Sequence, residues 1–299
     1  MARVETVRDT RQELDSRHYQ HLEAGGILLF TDLELGLSEE DRRFLLRQRQ
    51  TEASYHKNIA YRPAEDILTG AARGTGRREL LRILRAYSQQ AARTLERLLP
   101  RYASKSRLDF ASYRPFEEEG RALALRLRND LLHVDAFPTR PTHGDRILRF
   151  FTNLNPAQPR VWLTGESFEA LAEALGREAR LEEEARRQSS RLRRAAASLG
   201  RWAGIGSLTR SPYDALMRRF HHFMKENRRF QNSCPKERVA FPPGSSWLVF
   251  TDGASHAVVS GQFALEQTFI VSRQAMLAPE HAPLGVLERL TGMPLTWPG

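Results

Sequence analysis

Leu131-Leu132-His133-Val134-Asp135, followed after a loop rich in Pro, Thr and Gly by Arg146-Ile147-Leu148-Arg149-Phe150-Phe151-Thr152-Asn153-Leu154-Asn155, is the stretch on which the fold turns. Both pieces read as strands, because apolar residues alternate with others and Pro138, Pro141 and Gly144 confine the break to the loop. On a strand, residues i and i+2 point to the same side, so His133 and Asp135 offer an imidazole and a carboxylate to one point in space. The spacing alone is weak evidence. Among nine histidines the chain holds three such pairs: His21/Glu23, His133/Asp135 and His143/Asp145. The first lies in a helical stretch, where positions two apart diverge. The third lies in a Thr-His-Gly-Asp turn, which would hold two ligands loosely. Only His133 and Asp135 end a strand.

Outward from this stretch, strand character continues at Leu108 to Tyr113, Asp130 to Val134, Ile147 to Leu154 and Val161 to Leu163. It returns at Trp247 to Thr251, Ala257 to Val259 and Gln262 to Val271. A helical pattern at about residues 166–235 separates the two groups of strands. The first third reads as mostly helical apart from a strand at Ile27 to Phe30. Ser38 with Asp41 makes a capping-box start for a helix to about Gln50. Between Gly76 and Pro100, Leu80, Leu84, Tyr87, Ala91, Leu95 and Leu98 share one helical face, which should pack against a sheet. The expectation is an α+β chain: residues 1–106 mainly helical and packed on the core, residues 107–299 a β-sandwich or barrel with a helical insertion.

With 299 residues, 40% hydrophobic and 27% charged, the chain can bury a substantial core. One cysteine, Cys234, allows no internal disulfide, and the charged start lacks the apolar stretch of a secretory signal, so the reading is cytoplasmic. No apolar run has the length of a membrane span. The net charge of +10 is concentrated: residues 186–230 hold eleven arginines and Lys225 against Asp214 and Glu226, which accounts for all of it. A neutral body with one basic element points to an anionic partner met at one place, or else to a solvated helix face.

Two histidines and one carboxylate on one face of a metal ion are the ligand set of non-haem iron oxygenases, with the remaining positions left to cosubstrate and oxygen. A third ligand must come from a later strand. His256 qualifies, since it follows the Pro-Pro-Gly turn and the strand Ser246-Trp247-Leu248-Val249-Phe250, although a lone histidine there is also an ordinary structural residue. On the strand after His133, alternation puts Ile147, Arg149, Phe151 and Asn153 on one face.

The block from Leu131 to Trp162, together with Phe250-Thr251-Asp252-Gly253-Ala254-Ser255-His256 and its continuation to Phe269, resembles the bacterial Kdo hydroxylase family over most of the chain. That resemblance implies a double-stranded β-helix (jelly-roll) core, with Fe(II) bound by His133, Asp135 and His256. It implies 2-oxoglutarate and O2 as cosubstrates, and hydroxylation of 3-deoxy-D-manno-oct-2-ulosonic acid (Kdo) in the lipid A-linked inner core of lipopolysaccharide. Many related oxygenases place a basic residue about ten positions after the distal histidine, but here that position is Glu266. The cosubstrate anchor is therefore sought on the inner strand face, with Arg149 first, Arg160 second and Asn153 beside them. Arg140 and Arg146, flanking the loop, are the candidates for an anionic sugar.

The basic window also carries Leu192, Leu199, Trp202, Ile205, Leu208 and Phe220, a mixture suited to an anionic membrane surface. A lipid-linked substrate would require such docking on the cytoplasmic face of the inner membrane. Two other readings compete: an iron oxygenase acting on nucleic acid or protein, and a non-enzymatic β-barrel module that binds acidic lipid or protein. No aromatic-basic RNA motif or zinc-knuckle spacing favours nucleic acid.

Overall fold

Residues 3–48, 58–71, 76–120, 123–190 and 210–297 are described by the structure, a computed structural model. Their strands are β1 (Val4–Val7), β2 (Ile27–Phe30), β3 (Ile59–Arg62), β4 (Ile67–Thr69), β5 (Ser106–Arg114), β6 (Arg146–Asn153), β7 (Arg160–Ser167), β8 (Glu237–Phe241), β9 (Ser246–Phe250), β10 (Ala254–Ser260) and β11 (Ala264–Val271). Among the described residues these form an eight-stranded sheet, in the order β1-β2-β9-β6-β11-β5-β3-β4, and a three-stranded sheet, β10-β7-β8. The two sheets face each other as the halves of a jelly roll.

Strand alternation sets what lies on each side of the large sheet. Leu148 and Phe150 of β6, Leu248 and Phe250 of β9 and Leu265 and Phe269 of β11 face outward, into a core shared with the N-terminal helices. Phe151, Trp247 and Val249 face inward and meet Trp162, Phe241 and Val258 of the small sheet. Trp247 is the centre of this second core: its ring stacks on Phe241 at 3.9 Å and on Phe151 at 5.2 Å.

The helix expected between Gly76 and Pro100 is α3 (Arg77–Leu98), with α1 (Ser16–Glu23) and α2 (Glu39–Arg47) before it and the short α4 (Pro100–Ala103) after it. All six residues read as its apolar face are buried, and Tyr87 donates to the Phe150 carbonyl at 3.3 Å. Burial of each large side chain in that face contributes about 1.5 to 3 kcal/mol, which fixes α3 on the sheet. The Ser38/Asp41 capping box starts α2, which ends at Arg47.

The described residues of 1–106 are mainly helical, as read, but beside the expected strand β2 they supply β1, β3 and β4, so this part extends the large sheet rather than only packing on it. Strands of three or four residues at the end of a sheet are too short to show a period, and β1 is held by parallel pairing to β2. The insertion begins only after Ser167. Its described elements are α5 (Phe168–Leu175), α6 (Leu181–Gln188), α7 (Pro212–Glu226) and α8 (Arg228–Ser233). They pack with α9 (Pro283–Thr291) over the outer side of the small sheet, around Phe168, Leu216, Phe220 and Leu287. Strand β8 was hidden in sequence because only Val239 and Phe241 of its five residues are buried.

Candidate active site

The piece expected as a strand at Asp130 to Val134 is a single antiparallel bridge, His133 to His256. The two residues exchange both backbone hydrogen bonds, at 3.0 and 2.9 Å, and the Asp135 N–H continues the edge by donating to Thr251 O at 2.8 Å. On its free side the segment is held by side chains of the insertion. The Gln231 amide accepts from Leu132 N at 3.0 Å and donates to Leu132 O at 2.8 Å, and His221 Nδ1 donates to Val134 O at 2.7 Å. Such partners replace a neighbouring strand and satisfy the backbone. Gly165 of β7 allows the close approach, since a Cβ there would lie 2.8 Å from Leu132 Cδ2.

This register brings His133, Asp135 and His256 together. One donor atom from each lies within 4.8 Å of the others, and the three are buried or nearly so. Each histidine Nδ1 faces a backbone carbonyl, Leu131 O at 2.7 Å and Ala254 O at 2.9 Å. A carbonyl only accepts, so Nδ1 carries the proton and the Nε2 lone pair is left for a metal. The His256 ring is further fixed by stacking on Trp162 at 5.0 Å. Burial keeps both imidazoles below their ordinary pKa, hence neutral and able to ligate. Burial would raise the Asp135 carboxyl, but the Arg149 cation outweighs it and holds the group well below the usual carboxylate range. Its Oδ2 lies 3.1 Å from Arg149 Nη2 without hydrogen-bond alignment, so a lone pair stays open to a cation. Neutral, oriented imidazoles and an ionised carboxylate on one point suit a divalent iron ion.

Arg149 projects inward as its strand parity requires and pairs with Glu266 at 2.8 Å; Arg114 holds the other oxygen of Glu266 at 2.9 Å. Arg160 is fully buried against Glu118 at 3.2 Å and the Gly261 carbonyl at 2.9 Å. Three arginines therefore share two glutamates beside the triad. Arg114 Nε, Arg149 Nε, Arg160 Nε and Thr164 Oγ1 are buried and lack a hydrogen-bond partner among the described residues, a polar lining suited to a small dicarboxylate.

Two sequence candidates are corrected by the structure. Asn153 spends its amide on its own turn, donating to the carbonyls of Gln158, Phe241 and Pro242 and accepting from Asn155 N, so nothing remains for a cosubstrate. Arg146 faces the outer core, 1% exposed, paired with Asp252 at 2.9 Å over the Phe250 ring, and cannot meet a sugar. Arg140 stays partly exposed between the Phe110 and Phe137 rings and pairs with Asp109. Of the decoy pairs, Glu23 caps Leu277 and Ala278, while His143 sits half-exposed in a turn at φ 56°.

Sequence reading missed His221 and Gln231. His221 packs edge-on against His133 at 5.0 Å, and burial lowers its pKa to about 4. In the unfolded chain it titrates near 6.5, so between those values the unfolded state binds the extra proton and acid favours unfolding. The metal-free protein should lose stability on going from pH 7 to pH 5, at up to about 1.4 kcal/mol per pH unit from this residue. Urea midpoints at the two pH values measure it, and His221→Gln should flatten the dependence; an unchanged slope would show that other groups control it.

A buried two-histidine, one-carboxylate cluster between the sheets of a jelly roll places the chain among the iron(II)- and 2-oxoglutarate-dependent oxygenases. The sequence profile described as 3-deoxy-D-manno-oct-2-ulosonic acid (Kdo) hydroxylase matches residues 5–294, and the chain belongs to that family. Among solved structures it is similar to the apo form of the Kdo hydroxylase KdoO, a non-haem Fe(II) alpha-ketoglutarate-dependent dioxygenase. The identity is 34%, the TM-score 0.82, and 98% of this chain and 97% of that one are covered. The same enzyme with alpha-ketoglutarate and Fe(III) matches at 33% identity and TM-score 0.82, over 98% and 97% of the two chains. Its cobalt(II) complex matches at 34% and 0.83, over 99% and 98%. No curated protein sequence matches the chain.

Proposed function

We propose that this chain hydroxylates Kdo while the sugar is still linked to lipid, with His133, Asp135 and His256 as the iron ligands. Family membership and 34% identity to an iron- and alpha-ketoglutarate-dependent dioxygenase support the reaction class. The observation that carries the residue assignment is the His133–His256 bridge, which aims two Nε2 lone pairs and Asp135 at one point. Iron with 2-oxoglutarate and O2 supplies the oxidising power for C–H hydroxylation. The protein's own part is placement: Trp162 and the carbonyls of Leu131 and Ala254 fix the imidazoles, the Arg149–Glu266–Arg114 group sets the charge beside them, and apolar side chains between the sheets, Trp162 among them, pack against the site. Anaerobic addition of Fe(II) and 2-oxoglutarate should give a visible metal-to-ligand band, and conversion of a Kdo-lipid A acceptor should consume 2-oxoglutarate in step. No band and no turnover would sink the assignment.

Arg149 is the proposed contact of a 2-oxoglutarate carboxylate, because it combines an inward position, an orphaned Nε and proximity to Asp135. Arg149→Gln should weaken 2-oxoglutarate binding about tenfold to a hundredfold, the worth of one charge-assisted contact, and iron binding less. An unchanged cosubstrate dissociation constant would move the role to Arg114 or Arg160.

A lipid-linked acceptor calls for attachment to the cytoplasmic face of the inner membrane, and the basic window at residues 186–230 is the proposed contact. No described helix is long and apolar enough to cross a membrane. Of the window, Arg191, Arg193, Arg194, Arg201, Leu192, Leu199, Trp202, Ile205 and Leu208 lie outside the described residues. Arg186 and Arg187 are exposed but paired with Glu182 and Glu184. Each free arginine near an acidic bilayer contributes about 1 kcal/mol, and salt screens it. Changing Arg186, Arg187, Arg191, Arg193 and Arg194 to Gln should release the protein from anionic vesicles in sedimentation at low salt. Equal binding by both proteins would remove the membrane role from this run.

A further inference from the structure

The insertion carries a second polar site, on a different side of α7 from His221. A cavity of about 330 Å³ is lined by Arg218, Arg219 and His222 of α7, Arg187 and Glu184 of α6, and Arg126 and Glu226. Its charges do not cancel. Glu184 takes Arg187 at 2.7 Å and Glu226 takes Arg126 at 2.5 Å, so both carboxylates are engaged. Arg219 spends only its Nε, on the Ala179 carbonyl at 2.6 Å. Among the described residues no carboxylate lies within ion-pairing distance of Arg218 or Arg219, and both residues are half-buried. Burial and the nearby Arg210 push Arg218 below the usual arginine range against the pull of Glu184, and burial with Arg126 and Arg218 holds His222 below the ordinary imidazole range. Among the described residues two cations are thus left without an ion-pair partner, with Glu184 acting on them only at a distance, in a cavity large enough for a small ligand.

We propose that this cavity binds a phosphate group, held by Arg218 and Arg219, and that it is a second anchor for a phosphorylated acceptor whose sugar is presented to the triad. A phosphate monoester carries about −1.5 to −2 charge at neutral pH, which matches the excess, and its oxygens accept the forked guanidinium donors. Helix α7 links the two places: His221, next in sequence to His222, packs against His133 at 5.0 Å and hydrogen-bonds the Val134 carbonyl. An acceptor larger than one sugar can therefore touch both sides of a single rigid element. The link to the acceptor rests on the lipid-linked reading above, whereas phosphate binding does not.

The test is titration calorimetry of the full chain with inorganic phosphate, which needs no iron and no turnover. The Arg218→Gln and Arg219→Gln variants should each bind about tenfold more weakly or worse, and Arg180→Gln, which removes a cation paired with Glu183, should bind as the parent does. Phosphatidylcholine vesicles with either phosphatidic acid or phosphatidylglycerol separate the sources. A preference for phosphatidic acid that disappears in Arg218→Gln supports a lipid-borne phosphomonoester. Weakened inorganic phosphate binding in the variants without any vesicle preference assigns the cavity to soluble phosphate and overturns the acceptor anchor. No phosphate binding by the parent chain, or binding by both variants as tight as the parent's, overturns the site altogether.

Discussion

Single replacement of His133, Asp135 or His256 by Ala is expected to lower 2-oxoglutarate turnover more than about a hundredfold, a loss above roughly 2.7 kcal/mol of transition-state stabilisation. All three side chains converge within 4.8 Å, and nothing else among the described residues offers a comparable group. The charge balance makes Asp135 the most sensitive position. Without its carboxylate, the Arg149 cation would face the metal with only Glu266 to compensate it. The visible band with Fe(II) and 2-oxoglutarate should vanish in the same variants, while circular dichroism of the metal-free proteins stays that of the parent. His143→Ala is the control and should keep full activity, because that residue sits in an exposed turn. Full turnover in any of the three ligand variants would remove its residue from the site.

Trp247→Ala should cost about 3 to 5 kcal/mol of folding stability, the range for truncating a large buried aromatic. The ring is wholly buried and touches both sheets, lying on Phe241 at 3.9 Å, on Phe151 at 5.2 Å and edge-on to Trp162 at 5.6 Å. Its removal leaves a void that three flat neighbours cannot close without moving a strand. Because Trp162 also stacks on His256, iron affinity should fall together with stability. Urea unfolding of the metal-free protein measures the first effect, and iron titration the second. A loss below about 1 kcal/mol would show that the sheets are held together elsewhere, since truncations at well-packed sites exceed that figure.

The sequence was sufficient for everything that depends on local period. Alternation in Arg146 to Asn153 correctly separated Arg149 and Phe151 from Leu148 and Phe150, because a pleated strand leaves no other choice of face. The helical spacing of Leu80 to Leu98 and the Ser38/Asp41 box likewise named their elements. The ligand pair was legible since residues two apart on extended backbone point the same way, even though the piece read as a strand is a single bridge at His133. Partners were not legible. Alternation put Asn153 on the inner face beside Arg149, but its amide turned back onto Phe241 and Pro242, which approach only through the tertiary fold. Arg146 looked like a loop-side cation until Asp252, 106 residues away, proved to be its mate. His221 reaches Val134 across 87 residues, and Gln231 reaches Leu132 across 99, so no local pattern could mark them as the supports of the site. A periodicity states which way a side chain points from its own backbone. What stands opposite is decided by strand register and helix packing, where the whole chain settles which groups can be buried together.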